Sequence, residues 1–297
     1  MSSTTLKQAV PARVRDRLKG GSRIWGTSTS WARPAPDFLI IGTKRGGTTS
    51  LWNWLLQHPG MLPMWPSAQN LKSPHYFYWH YTNGPDWYRG FFPTRLSRAA
   101  ASLRHGRCPV VSGEASPYYL FDPRVPTRVA VELPKTKVII LLRDPVERAY
   151  SHFRERTNAG VETETFERAL ELETDRLAGE EERMSHDPSY YSRPHDWFSY
   201  RSRGLYLPQL QAWRDVIPAE QMLVLRSEDL YEDPAGTYRS VTDFLGLPPH
   251  DLARAKRHNF HPAQAMPAGV RAELTEFFAP HHEELYAALG RDMGWAR

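Results

Sequence analysis

The chain has 297 residues, of which 40% are apolar and 24% are charged, as in an ordinary globular protein. This length suits one large α/β domain, and no apolar run approaches the roughly 20 residues that span a bilayer. Lys and Arg (38) exceed Asp and Glu (33) by five, which suits an anionic ligand but is too small an excess to indicate nucleic acid binding. Collagen-like, coiled-coil and integral membrane proteins are therefore excluded.

The single cysteine, Cys108, excludes an internal disulfide and a zinc site built from cysteines, and it favours a reducing compartment. The N-terminal residues are basic but lack the apolar stretch of a secretory signal. We therefore expect a flexible basic segment over residues 1–36, one domain over residues 37–297, and a cytoplasmic location.

Two strand–turn–helix units stand out along the chain. A continuous apolar run over residues 37–42 predicts a buried parallel strand, and apolar residues at helical spacing predict a helix over residues 48–58. The run 137–142 predicts a second strand, followed by a helix with Asp144 as N-cap and Pro145 as first residue. This second helix is expected to reach about Arg156.

Further elements alternate in the same way. Strands are expected at 110–114 and 221–225, and helices at 125–133, 205–216, 235–245 and 267–289. Alternating strands and helices predict an α/β fold, a single P-loop-like domain with a central parallel sheet flanked by helices. The acidic stretch 162–182 is expected to form a solvated helix face. The segments 61–92 and 185–203, rich in Trp, Tyr, His and Pro, are expected to be substrate-binding loops.

The first turn, GTKRGGTT over residues 42–49, has the glycine spacing of a P-loop, whose backbone N–H groups bind phosphate at a helix N-terminus. In a nucleoside triphosphate P-loop, Lys follows the last glycine, whereas Thr48 stands there in this chain and the cations lie inside the turn. The pattern therefore predicts an anion site that is not built for MgATP. Its expected residues are Lys44, Arg45, Gly46, Gly47, Thr48, Thr49 and Ser50.

The second unit supplies another anion site. Arg143 ends the predicted strand, where its guanidinium can bind a phosphate with two hydrogen bonds, and Ser151 follows eight residues later. Parallel strands bind ligands beyond their carboxyl ends, so both sites should lie at one edge of the sheet. The pair predicts a nucleotide with phosphates at both ends.

With these motifs the sequence resembles the sulfotransferases that use 3′-phosphoadenosine 5′-phosphosulfate (PAPS). Within them it is similar to the carbohydrate branch that contains the heparan sulfate 3-O- and N-sulfotransferases. Residues 40–48 (IIGTKRGGT) resemble the family's 5′-phosphosulfate loop, and residues 141–151 (LLRDPVERAYS) resemble its 3′-phosphate motif. Residues 114–119 (EASPYY) are similar to a segment of its substrate cleft. Because no membrane anchor of the Golgi members is visible, we expect a bacterial member.

The resemblance implies transfer of a sulfuryl group from PAPS to a hydroxyl or amine of a carbohydrate, glycolipid or glycosylated natural product. It implies that Lys44 contacts the phosphosulfate, that Gly46, Gly47, Thr48 and Thr49 cradle it, and that Arg143 and Ser151 hold the 3′-phosphate. Tyr206, where the resemblance is looser, joins the expected donor-binding set. A sulfuryl group carries less charge than a terminal phosphate, so fixed cations suffice and we expect no metal.

The resemblance also places the general base. Relatives commonly carry a Glu two residues before a His, but residues 71–77 read LKSPHYF, so Ser73 stands at the Glu position while His75 is retained. A serine cannot act as a carboxylate base at neutral pH. His75 is our first candidate for the base and Glu114 the second. The expected substrate-binding residues are Lys72, Ser73, His75, Glu114 and Tyr118.

Two alternatives stay open. One is a P-loop kinase or related nucleotide-binding protein, against which the missing P-loop Lys argues. The other is a non-catalytic nucleotide-binding module, which the missing Glu permits. In addition, the basic cluster of Arg254, Lys256, Arg257, His258 and Asn259 either closes over the donor or belongs to the solvated surface.

Overall fold

One parallel sheet organises the part of the chain that the computed structural model describes, residues 12–258 and 265–295 without the side chains of residues 12–19. Its strands are β1 (Phe38–Gly42), β2 (Met61–Leu62), β3 (Val111–Ala115), β4 (Lys137–Leu142) and β5 (Met222–Arg226). The strands lie in the order β2-β3-β1-β4-β5, and every pairing is parallel. The predicted α/β class with a central parallel sheet is confirmed. Among the strands of the described residues, only the two-residue β2 was not predicted, because so short a segment has no periodic pattern.

Helices flank the sheet. They are α1 (Ala12–Ser28), α2 (Thr48–Leu55), α3 (Gly84–Arg89), α4 (Arg95–Arg104), α5 (Val125–Glu132), α6 (Pro145–Asn158), α7 (Phe166–Glu171), α8 (Glu173–Leu177), α9 (Glu180–His186), α10 (Arg193–Trp197), α11 (Tyr206–Arg214), α12 (Asp229–Glu232), α13 (Pro234–Leu245) and α14 (Ala268–Leu289). The predicted helices that became α2, α5, α6, α11, α13 and α14 are confirmed, with ends shifted by three residues or fewer. Within the described ranges, none of the helices has the length and apolar character needed to cross a membrane.

The two predicted strand–turn–helix units position the site. After β1 the chain reaches Gly47 with φ +88°, a left-handed conformation that favours glycine, and α2 begins at the next residue. After β4, the Asp144 carboxylate accepts from the backbone N–H of Val146 (2.8 Å) and Pro145 is the first residue of α6. Because the strands are parallel, both helices begin at the carboxyl edge of the sheet.

Helix α1 occupies residues for which the sequence predicted a flexible segment. Two glycines in its middle, Gly20 and Gly21, lower helix propensity and concealed it. Its end packs on the domain: a Cβ added to Gly26 would lie 2.6 Å from the carbonyl oxygen of Gly90, and the Arg23 guanidinium donates to the Trp65 carbonyl (2.8 Å). The division into residues 1–36 and 37–297 stays a prediction.

The acidic stretch 162–182 is not a solvated face throughout. Glu162, Glu173 and Glu180 are buried, and each accepts hydrogen bonds of 2.5 to 2.8 Å from residues 190–202. The expectation is therefore wrong for these three carboxylates, because the following loop folds back over the helices. They fix the shape of that loop.

The interior position of β4, which pairs with β1 and β5, leads to a stability prediction. Ile140 is fully buried, so Ile140→Ala removes buried methylene groups and leaves a cavity, and the free energy of unfolding should fall by about 3 kcal/mol. Urea unfolding should show this as a lower midpoint with an unchanged slope. Val131→Ala is the control, since its side chain is 74% exposed and the change should cost less than about 0.5 kcal/mol. Equal losses at the two positions would contradict this account of the core.

Candidate active site

A cavity of about 490 Å³ opens beyond the carboxyl ends of β1 and β4. Its described lining holds seven Lys and Arg against three Glu. The cations are Lys44, Arg45, Lys72, Arg143, Arg154, Arg257 and Arg271, and the carboxylates are Glu147, Glu155 and Glu228. The excess of positive charge in a concave site favours an anionic ligand.

The two predicted anion motifs meet in this cavity. Arg45 Nε donates to Ser151 Oγ (3.0 Å), and Arg143 Nη1 donates to the carbonyl oxygen of Arg45 (3.0 Å). Arg45 therefore joins the phosphate turn, of which it is a part, to the residues of the second unit. Two motifs about 100 residues apart in the sequence form one continuous surface.

The rest of the phosphate turn divides between the cavity and the interior. Residues 47–49 line the cavity. Gly46 packs against β4, where an added Cβ would lie 2.9 Å from the Leu141 carbonyl oxygen. Ser50 is fully buried, and its hydroxyl accepts from the backbone N–H of His258 (3.0 Å). Ser50 therefore anchors the C-terminal segment behind the turn.

Tyr206 supports the site from behind. Its side chain is buried, and its hydroxyl donates to the carbonyl oxygen of Arg143 (2.7 Å). Tyr206 is absent from the described cavity lining. The structure therefore places it as a support for the loop that carries Arg143.

The C-terminal basic cluster separates into two parts. Arg257 and His258 line the cavity. Backbone groups of Arg254 and Lys256 bond to side chains on and just after α2, while Asn259 lies outside the described residues. Two of the four described residues of the cluster thus face the cavity.

The turn's lysine is paired with a carboxylate that was not predicted. Lys44 Nζ lies 3.2 Å from Asp196 Oδ1, Arg203 Nη2 lies 3.3 Å from the same oxygen, and the Tyr191 hydroxyl donates to Oδ2 (2.7 Å). Burial lowers the pKa of Lys44 to about 8, against the opposing effect of Asp196. Although burial disfavours its charge, the two cations hold the pKa of Asp196 well below its usual range. Nothing in the local sequence of α10 marks Asp196 beyond its place in the predicted substrate loop.

Two more groups bear on the charge of the cavity. Lys72 Nζ donates to Thr49 Oγ1 (2.9 Å), and burial lowers the pKa of Lys72 to about 8. Glu155, which the sequence analysis did not single out, lines the cavity, and its negative charge opposes the lowering of pKa at Lys44, Arg45 and Lys72. The i, i+4 spacing of Ser151 and Glu155 on one helix face could have identified it.

Glu114 is the centre of a buried hydrogen-bond cluster. Ser73 Oγ donates to Glu114 Oε2 (3.0 Å), and the hydroxyls of Tyr88 and Tyr119 donate to Oε1 (2.7 and 2.9 Å). Glu114 is 0% exposed, and burial raises its pKa to about 7 in spite of these donors. The carboxylate therefore lies behind Ser73, out of direct contact with the cavity.

His75 adopts a left-handed backbone conformation (φ +57°), and its N–H donates to Ser73 Oγ (3.0 Å). Its Nδ1 lies 2.8 Å from the Tyr78 hydroxyl, and burial lowers its pKa to about 4, so the ring is neutral at pH 7. Among the predicted substrate residues, Lys72 lines the cavity, whereas Ser73, His75, Glu114 and Tyr118 lie outside its described lining. Tyr118 is buried, with its hydroxyl 2.6 Å from Nδ1 of His195.

Comparison with known proteins identifies the family of the chain. The model of the sulfotransferase domain family matches residues 35–277. The chain therefore belongs to the sulfotransferase family. The solved structure of a sulfotransferase from Alicyclobacillus acidocaldarius is 31% identical, with a TM-score of 0.62 over 87% of this chain and 97% of that one.

Curated relatives point to the branch. The membrane-associated sulfotransferase kil1 of Dictyostelium discoideum is 26% identical over 88% of this chain and 66% of its own length. The heparan sulfate glucosamine 3-O-sulfotransferase 3B1 of Mus musculus is 29% identical over 90% of this chain and 67% of its own length. The chain thus spans about two thirds of the length of these relatives. The predicted resemblance to the carbohydrate branch is confirmed, and a bacterial origin stays a prediction.

The Asp196 cluster leads to a second prediction. Asp196→Asn removes the carboxylate that is paired with the desolvated cations Lys44 and Arg203, so the free energy of unfolding should fall by about 3 kcal/mol at pH 7. Because the folded pKa of Asp196 is depressed, its contribution is present at neutral pH and is lost as the pH falls below the unfolded value of about 4. Urea unfolding at several pH values measures both effects.

The matched control is Asp215→Asn at an exposed position. This control should change the free energy of unfolding by less than about 0.5 kcal/mol. A wild-type and an Asp196→Asn protein of equal stability at pH 7 would disprove the assigned role of the ion pair.

Proposed function

We propose that this chain is a PAPS-dependent sulfotransferase that moves a sulfuryl group to a hydroxyl or amine of a carbohydrate-like acceptor. The observation that carries the proposal is the contact of Arg45 with both Ser151 and Arg143. A donor with a phosphosulfate at one end and a 3′-phosphate at the other requires two anion sites in one cavity. Family membership supports the same reaction.

The cavity suits this donor. Its volume of about 490 Å³ lies within the roughly 300–1,000 Å³ of ligand pockets, and its lining carries a net positive charge. Lys44, Thr48 and Thr49 would hold the 5′-phosphosulfate at the start of α2, and Arg143 and Ser151 would hold the 3′-phosphate. Arg45 would contact both the 5′-phosphosulfate and the 3′-phosphate, because it belongs to the phosphate turn and also bonds to Ser151.

In the reaction, the acceptor oxygen or nitrogen bonds to sulfur, and the bond from sulfur to the phosphate oxygen breaks. The electron pair of that bond stays on the leaving phosphate oxygen, where negative charge develops. Lys44 and Lys72 line the cavity, and in this proposal their protonated ammonium groups stabilise this charge. These side chains supply the positive charge that the transfer needs, and we propose no metal.

The proton of the acceptor goes to a base, for which we propose His75. Donation from Nδ1 to the Tyr78 hydroxyl would leave Nε2 as the proton acceptor, and the neutral ring is the form that a base requires. Glu114 is the second candidate and, because it is fully buried, would act only through the Ser73 hydroxyl. The two routes differ in pKa, which makes them separable.

An aromatic surface next to His75 favours a sugar as acceptor. The Trp79 ring stacks on Tyr191 at 4.7 Å with an interplanar angle of 10°, and the His75 ring lies 6.4 Å from Trp79. Trp79 is 47% exposed, so the exposed part of its ring can pack against a pyranose ring. The named substrates of the heparan sulfate relatives support the same acceptor class.

Donor binding and transfer test the function. The protein should bind adenosine 3′,5′-bisphosphate more tightly than MgATP in calorimetry, and it should transfer label from [³⁵S]PAPS to an oligosaccharide from a panel. Lys44→Met should lower kcat at least about 100-fold because charge on the leaving oxygen is no longer stabilised. Lys135→Met, at an exposed position, is the control. Tighter binding of MgATP would instead favour the kinase alternative.

The pH dependence of kcat/KM distinguishes the two bases. A base is active when deprotonated, so with His75 (pKa about 4) the rate should stay level from pH 8 down to about pH 5. It should fall above about pH 8 as Lys44 and Lys72 lose their protons. His75→Ala should lower kcat about 100-fold, and Glu114→Gln should lower it less. If kcat/KM of the wild type declines below about pH 7 and this decline is absent in Glu114→Gln, the base is Glu114 instead.

A further inference from the structure

A second cavity, of about 510 Å³, shares none of its described lining with the donor cavity. It lies between the end of α1, the loop after β2, and α4. The rings of Trp25 and Trp65 meet there at 5.1 Å, and the Arg33 guanidinium lies 4.6 Å from the centre of the Trp25 ring. The groove is mostly apolar and is bordered by Arg side chains, including Arg104.

Large apolar side chains are concentrated around this groove. Six of the eight large apolar side chains that are exposed in the described residues belong to it or to its flanking segments. These are Ile24 (71%), Trp25 (47%), Trp31 (77%), Trp65 (36%), Leu96 (83%) and Leu103 (65%). Leu96 and Leu103 are seven residues apart and so share one stripe of α4, and Arg95 donates to the Trp31 carbonyl oxygen (2.7 Å), which joins the two segments. We call these six residues, together with the exposed Arg95 and Arg104 of the same helix, the aromatic–basic face.

The same segments account for the net positive charge of the chain. Residues 12–36 and 93–107 hold ten of the 38 Lys and Arg and one of the 33 Asp and Glu, a net charge of +9. The other 257 residues therefore carry a net charge of −4. The small total of +5 results from a basic region on an otherwise acidic chain.

We propose that the aromatic–basic face docks on the surface of an anionic lipid bilayer. Exposed Trp side chains favour the membrane–water interface, where a ring is partly apolar and partly hydrated, and exposed Leu and Ile side chains enter the acyl boundary. Each Lys or Arg near an anionic leaflet contributes about 1 kcal/mol of attraction. Exposed Leu96 and Trp31 add apolar area that binding to a nucleic acid phosphate backbone would not use.

The docking is independent of sulfuryl transfer, so its test needs neither donor nor acceptor. The full-length protein is mixed with vesicles of phosphatidylglycerol and phosphatidylcholine in equal parts, or of phosphatidylcholine alone, and is separated by flotation. We expect binding to the anionic vesicles at least about 10-fold tighter than to the neutral ones, and weaker binding at about 0.5 M NaCl because salt screens exposed charges. Equal binding to both vesicle types, or to neither, would overturn the proposal.

Two double variants test the two components of the face. Trp31→Ser with Leu96→Ser, and Arg95→Gln with Arg104→Gln, should each weaken binding to the anionic vesicles about 10-fold or more. The controls are Val131→Ser, which is as exposed as the apolar residues of the face, and Arg168→Gln with Arg183→Gln on the acidic helices. Thermal unfolding midpoints of all variants establish that they are folded.

The result identifies the partner of the face. Loss of binding in both double variants with none in the controls supports the lipid surface. Equal losses in variants and controls would overturn it. A dimer in sedimentation velocity that Trp31→Ser with Leu96→Ser dissociates, without vesicle binding by the wild type, would assign the face to a second copy of the chain.

Discussion

The ion pair between Lys44 and Asp196 is the interaction on which the donor cavity depends. A phosphate turn at the end of a buried strand needs a cation where water is scarce, and a desolvated cation without a partner is costly. Asp196 compensates Lys44 and Arg203 together, and it does so from the loop over residues 185–203, outside both strand–turn–helix units. That loop is in turn fixed by the three buried carboxylates of the acidic stretch, which accept its hydroxyl and N–H groups. A series of buried charges therefore extends from the acidic helices to the phosphate turn, and the geometry of the turn depends on contacts far from it in sequence.

Around Ser73, where we propose that the acceptor binds, the buried charged group is a carboxylate, Glu114. The resemblance to the family implies a Glu at the position of Ser73, whereas here the nearest carboxylate, Glu114, lies one layer deeper and accepts from that serine. Three hydroxyls from separate segments donate to the Glu114 carboxylate, so both of its oxygens have hydrogen-bond partners although the group is buried. Position 73 therefore carries a hydroxyl in place of a carboxylate, and a neutral imidazole lies at the same loop, next to the stacked rings of Trp79 and Tyr191. A neutral, aromatic surface of this kind is suited to an uncharged sugar face.

The parts of the molecule that could be predicted from sequence are those with local patterns. The apolar runs of β1 and β4, the glycines of the turn, and Asp144-Pro145 each specify their structure within a few residues, and their parallel arrangement follows from the alternation of strands and helices. Asp196 could not be predicted, because its role depends on a loop whose shape is set by buried carboxylates on other helices. Tyr206 illustrates the same limit, since a tyrosine that supports a loop and one that contacts a ligand have identical local sequence. Helix α1 escaped prediction because its glycines oppose helix formation, and packing against Gly90 and Trp65 compensates for them.

The cavity and the aromatic–basic face differ in the environment of their positive charges. A net charge of +5 suggests a mild preference for anions, yet the chain outside residues 12–36 and 93–107 is acidic. The positive potential of the donor cavity is therefore local: it arises from side chains such as Lys44 and Lys72 that are held out of water, where screening by salt is weak. Arg95 and Arg104 of the aromatic–basic face are exposed, so their charges are screened over a Debye length of about 10 Å. Binding of a nucleotide in the cavity and attraction to an anionic surface should therefore respond differently to salt, because the same residue types operate in two dielectric environments.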